Sequence, residues 1–230
     1  MDNSTFSRFK FATPWCLVVI FILLPFIASI SYAINEDQLR RSLRQLGGSE
    51  ILFDEWLRTL KAAAETSIDT RLQRINSFFN RKLLFTDDLE LWGETDYWAT
   101  PMESLAKGKA DCEDYVIAKY FSLRSLNVPD TQLRLIYVKA RIGGPNSSIE
   151  QAHMVLAFYP SAELEPLILD NLITEIRPAS RRKDLTPIFS FNSQGIFSGT
   201  GSSATMGPGG VGRLSRWQAL LERAKKEGFE

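Results

Sequence analysis

The sequence predicts an α+β domain in which helices precede an antiparallel sheet. Apolar residues recur at helical spacing between residues 36 and 83, whereas residues 133–172 contain runs of β-branched and aromatic residues separated by turn residues. Helices followed by consecutive strands favour this fold class. The chain has 230 residues, of which 44% are hydrophobic, and this composition supplies enough apolar side chains for one core.

Residues 1–33 have the layout of a secretory signal peptide. Two basic residues precede an apolar run at residues 11–30, and the run ends at Ser31-Tyr32-Ala33. This order predicts cleavage after Ala33 and a periplasmic location for the mature chain. The alternative is an uncleaved membrane anchor, because about 20 apolar residues can span a bilayer. Pro25 and the polar residues that follow Ala33 favour cleavage.

The charge balance gives no reason to expect a nucleic-acid partner. Lys and Arg together number 27, Asp and Glu together number 27, and the chain stays near neutral after the predicted signal peptide is removed. Nucleic-acid-binding domains usually carry a strongly basic face, and no basic stripe interleaved with aromatic residues is present. The sequence therefore indicates a different class of partner.

Cys112 is the one cysteine that the mature chain would keep, because Cys16 lies in the predicted signal peptide. Exported compartments favour disulfides, yet this thiol has no partner within the mature chain. Two interpretations are open at this point. The thiol is either buried and inert, as free cysteines often are, or it is kept free for chemistry.

Three amphipathic helices are predicted in the N-terminal part of the chain, at residues 36–46, 50–64 and 69–82. The positions expected to face inward follow the helical period and carry large apolar side chains. They are Leu39, Leu43, Leu46, Leu52, Trp56, Leu60, Leu72, Ile75, Phe79 and Leu83. We interpret these positions as core and assign them no chemistry.

Two further helix starts follow in close succession. Thr100 is expected to cap a short helix, with Glu103 completing a capping box. The next helix opens at Cys112, with Asp111 as its N-cap and Asp114 as the third helical residue. The thiol of Cys112 is therefore predicted to lie in the first turn of a helix.

Strands are predicted at residues 133–140, 152–159 and 167–172, where the apolar pattern no longer fits a helix. The main domain is expected to span residues 34–198. The glycine- and serine-rich residues 199–212 predict a flexible segment.

A C-terminal amphipathic helix is expected within residues 213–230. Leu214, Trp217 and Leu221 share one face of this helix. Such a face is expected to dock on the body of the domain, because isolated short helices are marginally stable in water.

The predicted position of Cys112 suits a nucleophile. Unpaired N–H groups and the positive end of the helix dipole stabilise a thiolate at a helix N-terminus and lower its pKa. Asp111, Glu113 and Asp114 oppose this effect, because nearby negative charges raise the pKa of a thiol. A bound cation could neutralise them. Three carboxylates so close together are also the kind of ligands that calcium prefers, although a plain helix cap would explain them equally well.

His153 is the only histidine in the chain, and it is predicted to lie at the start of the second strand. A hairpin centred on residues 161–162 would set it opposite Asp170 on one face of the sheet. Asp170 could then accept a hydrogen bond from the imidazole and fix its tautomer. Asn171 could take this role instead, but its side chain should point to the other face. The spacing thus predicts a triad of Cys112, His153 and Asp170.

Four segments around these residues resemble one protein family. They are Trp98-Ala-Thr-Pro, the run GKADCEDYVIAKY at residues 108–120, Gln151-Ala-His-Met and Leu169-Asp-Asn-Leu. The sequence resembles the bacterial transglutaminase-like cysteine proteinases, and within them the LapG-type periplasmic adhesin proteases. The resemblance extends over about residues 72–197 and shows no departure at the three triad positions.

The resemblance implies a papain-like or transglutaminase-like core and a Cys-His-Asp protease mechanism. It implies calcium dependence, with Asp111, Glu113 and Asp114 as the ligands. It also implies cleavage of one peptide bond in a large surface adhesin near the outer membrane. Finally, it implies an inner-membrane receptor for cyclic di-GMP that holds the protease while the nucleotide is abundant and releases it when the nucleotide falls.

Two other functions use the same residues. A transglutaminase-like acyltransferase or amidase would form the same acyl-enzyme and differ only in the acceptor. A non-enzymatic calcium-binding adaptor would keep the acidic residues and bury the thiol of Cys112. For the enzyme, the backbone N–H of Cys112 is expected to form part of the oxyanion hole, with Trp98 as a candidate for the second donor.

Overall fold

The computed structural model describes residues 34–144, 146–198 and 210–229. The predicted signal peptide and residues 199–209 of the predicted flexible segment lie outside the described residues. Within the described part of the chain, no helix is long and apolar enough to cross a membrane.

Helices dominate the first half of the domain, as predicted. Seven α-helices are described: α1 (Glu36–Gln45), α2 (Glu50–Ala64), α3 (Ile68–Lys82), α4 (Asp88–Trp92), α5 (Pro101–Lys107), α6 (Cys112–Ser125) and α7 (Gly210–Glu227). The first three match the predicted bounds closely, because polar caps define their starts. Asn35 and Ser67 accept hydrogen bonds from the first turns of α1 and α3. Leu46 was expected to face inward, but α1 ends before it and its surface is 40% exposed.

Six strands form one antiparallel sheet, which confirms the predicted fold class. The strands are β3 (Leu133–Arg141), β4 (Glu150–Phe158), β5 (Leu167–Leu169), β6 (Arg177–Pro178), β7 (Leu185–Asn192) and β8 (Gly195–Ser198), and their spatial order is β6-β5-β4-β3-β7-β8. Two short strands, β1 (Leu84–Phe85) and β2 (Lys109–Ala110), pair separately in parallel. The latter pair fixes the segment that leads into α6.

The hairpin of β7 and β8 was missed by the sequence interpretation. Pro187 lies inside β7, and proline normally argues against a strand because it cannot donate a ladder hydrogen bond. The sheet tolerates it at an irregularity: Pro187 pairs with Val138 where the register between β3 and β7 shifts. The chain then reverses at Gly195, whose φ of 154° is unfavourable for residues with a side chain.

The two faces of the sheet are covered differently. Helix α6 lies on one face, where Ile117 and Phe121 join Met154 and Leu156 of β4 in the main core. A smaller apolar cluster lies on the other face and is formed by Ile136, Val138, Val155, Ala157 and Ile168. Because side chains alternate along a strand, His153 belongs with Val155 and Ala157 on the second face.

Helix α7 packs against the main core, as expected for the C-terminal amphipathic segment. Trp217, Leu220 and Ala224 are buried on its inner face. The helix begins at Gly210, three residues before the predicted start at residue 213. Beyond it, the ring of Phe229 lies 5.0 Å from that of Phe121, so the end of the chain also contributes to the core.

Candidate active site

The thiol of Cys112 lies at the N-terminus of α6, as predicted. The Asp111 side chain accepts a hydrogen bond from the backbone N–H of Asp114 at 3.3 Å, which is the N-cap contact. Gly108 ends α5 with a φ of 64°, a left-handed conformation that glycine adopts without strain. This sharp end lets the chain pass through β2 and begin α6 at once.

The surroundings of the thiol favour its protonated form. Burial is the main cause of a pKa raised well above the ordinary value, and the charges of Glu113 and Asp111 add to it. The Cys112 Sγ donates to Glu113 Oε2 at 2.9 Å, while the backbone N–H of Met154 points at the sulfur and acts in the opposite direction. Burial, together with the acidic neighbours, therefore outweighs the expected effect of the helix N-terminus on the pKa of the thiol.

His153 and Asp170 form a buried hydrogen-bonded pair. The distance between His153 Nε2 and Asp170 Oδ1 is 2.7 Å, and the two residues are 4% and 0% exposed. His153 directly precedes Met154, whose backbone N–H points at the sulfur of Cys112, so strand β4 passes beside the thiol. Since the bond to Asp170 uses Nε2, proton exchange with any other group would go through Nδ1.

The predicted pairing of His153 with Asp170 across a hairpin is wrong in register. The observed ladder pairs Leu156 with Leu169, and β5 ends at Leu169 rather than at residue 172. The register therefore differs from the predicted one by two residues. An even shift leaves every side chain on its original face, so Asp170 still reaches the imidazole along a diagonal.

Four groups hold Asp170 in place. Its Oδ1 also accepts from the backbone N–H of Leu172 at 3.0 Å, and its Oδ2 accepts from Arg182 at 2.6 Å. Asn80 of α3 donates to the backbone carbonyl of Asp170 at 2.7 Å. Burial alone would raise the pKa of Asp170, but the bonds from His153, Leu172 and Arg182 outweigh it and lower the pKa to about 2. The carboxylate is thus ionised at neutral pH.

Asn171, the alternative partner for the imidazole, is not hydrogen-bonded to His153 among the described contacts. The bond of His153 goes to Asp170, which directly follows the last residue of β5. Asp170, and not its neighbour, is therefore the partner of the imidazole, as the sequence interpretation expected.

Arg182 was missed by the sequence interpretation. It lies within the run Arg181-Arg182-Lys183, which looks like a solvated surface, and only the structure shows that its side chain is 1% exposed. Its guanidinium joins Asp170 to Asp184, and the bond to Asp184 Oδ2 is 2.8 Å long. Charges alternate along the chain of contacts from Asp170 through Arg182 to Asp184.

A buried acidic cluster lies beside Cys112. Asp88, Asp111 and Glu113 each present a carboxylate oxygen, and these atoms lie within 4.8 Å of one another. Asp114, which was also expected to be a ligand, is not part of this group. Its Oδ1 instead accepts from the backbone N–H of Ala99 at 2.7 Å and ties α6 to the start of α5.

The sequence did not identify Asp88 as a member of this cluster, because Asp88 opens a separate helix, α4. Its Oδ2 accepts from the backbone N–H of Tyr97 at 2.6 Å. Its Oδ1 is buried and has no hydrogen-bond partner among the described residues. Such an orphaned carboxylate oxygen, facing two other carboxylates, is available to a cation.

The donor set fits a hard cation. All three groups offer oxygen, the ligand atom that calcium prefers. Burial is the main cause of raised pKa values at Asp88, to about 6, and at Asp111, with the neighbouring carboxylates adding to it. A cation would remove this repulsion, because it favours the ionised form of each ligand.

Residues 57–184 match the family model of the bacterial transglutaminase-like cysteine proteinases. The chain belongs to this family. It is therefore a cysteine protease. Among curated protein sequences, none matches the chain.

Solved structures of LapG from Legionella pneumophila are similar to this proteinase over most of its length. One is 34% identical, with a TM-score of 0.68, and the match covers 84% of this chain and 98% of that chain. A calcium-bound LapG gives 34% identity, a TM-score of 0.69 and coverage of 83% and 99%. An EGTA-treated LapG gives 34% identity, a TM-score of 0.69 and coverage of 84% and 98%.

Trp98 does not supply the second oxyanion donor through its indole. Its Nε1 donates to Asp96 at 2.9 Å, and its ring stacks on Phe191 within the core. The proteinase therefore uses Trp98 to pack the segment before α5 against the sheet. The backbone N–H of Cys112 remains the donor expected from the helix start.

Lys119 of α6 is a buried cation that sequence reasoning did not single out. It is 0% exposed, and its Nζ has no hydrogen-bond partner among the residues that the structure describes. Burial lowers its pKa from 10.5 to about 7, although the charge of Asp170 opposes this shift. The free-energy cost of burying the Lys119 ammonium therefore exceeds the free energy gained from its attraction to Asp170.

Replacing Lys119 with methionine is expected to stabilise the fold. Between pH 7 and 10.5 the unfolded lysine binds a proton that the folded one lacks, so wild-type stability rises with pH in this window. Below pH 7 the wild type carries the full cost of a buried ammonium, and the variant should gain about 2 kcal/mol or more. Urea unfolding at pH 6, 7.5 and 9 measures this. Equal pH slopes in the two proteins would contradict it, and Lys225→Met at an exposed site serves as the control.

Proposed function

We propose that this proteinase is a calcium-dependent periplasmic endopeptidase that cleaves a large surface adhesin and thereby releases cells from a biofilm. Cys112, His153 and Asp170 are its catalytic residues. The observation that carries this proposal is the buried 2.7 Å contact between His153 and Asp170, on the strand whose next residue, Met154, points its backbone N–H at the thiol of Cys112. A nucleophile, a base and a group that orients the base are the parts that covalent catalysis of acyl transfer requires.

The mechanism follows from the hydrogen bonds. With Nε2–H donating to Asp170, Nδ1 of His153 accepts the proton of the Cys112 thiol. The thiolate attacks the scissile carbonyl, and His153 then protonates the leaving amine. The backbone N–H of Cys112 stabilises the oxyanion. Water hydrolyses the acyl-enzyme, with His153 acting as the base.

Asp88, Asp111 and Glu113 would hold a calcium ion, with Asp114, predicted from the sequence, as a further candidate. The bound ion would neutralise the carboxylates of Asp111 and Glu113, whose charges add to the effect of burial in raising the pKa of the Cys112 thiol. The calcium-bound structure of the similar LapG supports this assignment. The orphaned oxygens Asp88 Oδ1 and Asp114 Oδ2, both buried, support it independently.

Substrate and regulation are proposed from the resemblance to LapG-type proteases. The substrate is a surface adhesin that is cut at a short Ala-rich site. An inner-membrane receptor for cyclic di-GMP binds the proteinase while the nucleotide is abundant and releases it when the nucleotide falls. The predicted signal peptide at residues 1–33 would deliver the proteinase to the compartment where both partners are accessible.

The proposal is tested by incubating the mature proteinase with purified adhesin fragments in the presence of calcium. We expect two shorter fragments, and EGTA should suppress the cleavage until calcium is restored. Adding a primary amine tests the acyltransferase alternative. If the amine is incorporated while the substrate stays uncut, the reaction is acyl transfer and not peptide hydrolysis.

Asp88→Asn is expected to weaken calcium binding by the proteinase. The substitution removes one negative charge from the cluster and keeps the size of the side chain, so the calcium requirement should rise about 10- to 100-fold. Calcium titrations of the cleavage rate and of Cys112 alkylation by iodoacetamide measure the effect. Alkylation reports the thiol itself, without any substrate.

The matched control for this prediction is Glu90→Gln. Glu90 lies in the same short helix, but its side chain is 73% exposed and faces Lys109. It should leave the calcium dependence unchanged. If Asp88→Asn and Glu90→Gln respond to calcium like the wild type, Asp88 does not hold the ion.

A further inference from the structure

A basic cavity lies beside the triad and has no role in the proposed mechanism. Its volume is about 740 Å³, and four of its lining residues are cationic: Arg141, Arg177, Arg181 and Lys183. Gly144, Ile173 and Ser180 complete the wall together with Asp184. The cavity is therefore built from the loop after β3 and from the segment that leads into β7.

The charge of this cavity is strongly unbalanced. Asp184 is its only acidic lining residue, and both of its carboxylate oxygens already accept hydrogen bonds from Arg182. Arg177 contacts Glu175 at 2.6 Å, and Arg181 is exposed and interacts electrostatically with Glu165. Lys183 is exposed and forms no ion pair within 4.0 Å among the described residues. Such a concave and predominantly positive surface attracts ligands of the opposite sign.

The cavity is joined to the triad by consecutive hydrogen bonds. Asp184 lines the cavity and bonds to Arg182 at 2.8 Å, Arg182 bonds to Asp170 at 2.6 Å, and Asp170 bonds to His153 at 2.7 Å. With the side chains themselves included, this path spans on the order of 10–15 Å, which an extended peptide covers in about three to five residues. The cavity and the triad are thus separated by a distance that one extended substrate chain of a few residues can span.

We propose that the basic cavity binds an acidic segment of the substrate chain, a few residues away from the scissile bond. This inference rests on the proposed function, and it adds a specificity determinant to it. Carboxylate side chains of the substrate meet Arg181 and Lys183, while the scissile bond lies at Cys112. The site selects substrates by charge without contributing to bond cleavage, since none of its exposed cations contacts a triad residue.

The test is a binding measurement on the full mature chain carrying Cys112→Ser, which does not consume the ligand. The probes are a fluorescent Ala-rich peptide that ends in a run of Asp and a counterpart that ends in Asn. Fluorescence anisotropy should show about three- to tenfold tighter binding of the Asp peptide, as expected for a few exposed ion pairs. The preference should weaken at high salt. The double variant Arg181→Glu/Lys183→Glu should lose it.

A second basic groove provides the matched control. It has a volume of about 550 Å³, lies between α2 and α3, and includes Arg58 and Arg74. Arg58→Glu/Arg74→Glu changes the net charge by the same amount and should leave the preference for the Asp peptide intact. The same loss in both double variants, or no loss in the cavity variant, would overturn the proposal. So would binding to vesicles of anionic phospholipid when the two peptides bind equally.

Failure of this inference and failure of the proposed function give different results. The binding preference is measured without cleavage, so it does not depend on an active thiol. If the wild-type proteinase cuts neither peptide nor adhesin fragment, the proposed function fails whatever the cavity binds. If it cuts both peptides with equal efficiency and the Cys112→Ser protein binds them equally, only the cavity proposal fails.

Discussion

Cys112→Ala is expected to abolish proteolysis and to leave the fold intact. The substitution removes the nucleophile, and removal of a nucleophile that acts with its base as a unit lowers the rate by about 10⁴-fold or more. Cys112 is partly buried at the edge of the main core, and Ala keeps its Cβ while removing only the sulfur and its hydrogen bond to Glu113. Stability should therefore change little. Cleavage of an adhesin fragment and urea unfolding, both with calcium present, measure the two effects.

Two further variants separate chemistry from structure. Cys112→Ser keeps the shape of the side chain but offers a much weaker nucleophile, so it should also be inactive. His153→Gln should slow alkylation of Cys112 by iodoacetamide, because the base that takes the thiol proton is gone. Full activity of Cys112→Ala would end the protease mechanism. A thiol that never reacts with iodoacetamide, even with calcium, would favour a non-enzymatic adaptor.

Arg182→Met is expected to destabilise the proteinase by about 3–5 kcal/mol, because it leaves the buried carboxylate of Asp170 without its cationic partner. Arg182 is buried and bonds to Asp170 at 2.6 Å. The folded pKa of Asp170 is about 2, below its ordinary 3.8, so its bonds contribute stability above pH 4 that is lost as the pH falls towards 2. The variant should lose less stability over this range. Urea unfolding at pH 7 and at acidic pH measures both effects.

The same variant tests how Asp170 is positioned. Arg182→Lys keeps the charge but cannot bridge two carboxylates with a planar fork, so it should restore only part of the stability and of kcat. Arg181→Met is the neighbouring control, and as an exposed substitution it should change stability by less than about 0.5 kcal/mol. If Arg182→Met and Arg181→Met are equally stable, the buried network does not hold Asp170.

The sequence predicted the parts of the site that depend on local order. Asp111 caps α6 and places Cys112 in the first turn, and both follow from a few consecutive residues. His153 and Asp170 were brought together correctly although the register was wrong by two residues, since the period of a strand preserves the face. Local rules were sufficient in these cases.

The parts that were missed depend on contacts between distant segments. Asp88 and Arg182 are ordinary charged residues in the sequence, and only the packing of α4 and of the segment before β7 turns them inward. Asp114 stays a predicted ligand: its Oδ1 bonds to Ala99, a contact that depends on the packing of the segment before α5, whereas its Oδ2 is buried without a partner among the described residues. Pro187 concealed β7, because its cost is absorbed by a bulge that no single strand reveals.

Phe229, which follows α7, is part of the main hydrophobic core. Its ring is 1% exposed and lies against Trp56 and Phe121, and a buried Phe contributes about 3–5 kcal/mol out of a total of about 5–15. The backbone N–H of Asn35 also bonds to the carbonyl of Gly228 at 2.9 Å. Residues 34–39 and 224–229 thus close one core around α6, because Phe121 of this helix packs against Phe229. Removing the aromatic ring of Phe229 is therefore expected to loosen the helix that carries Cys112, although the substitution lies far from the thiol in the sequence.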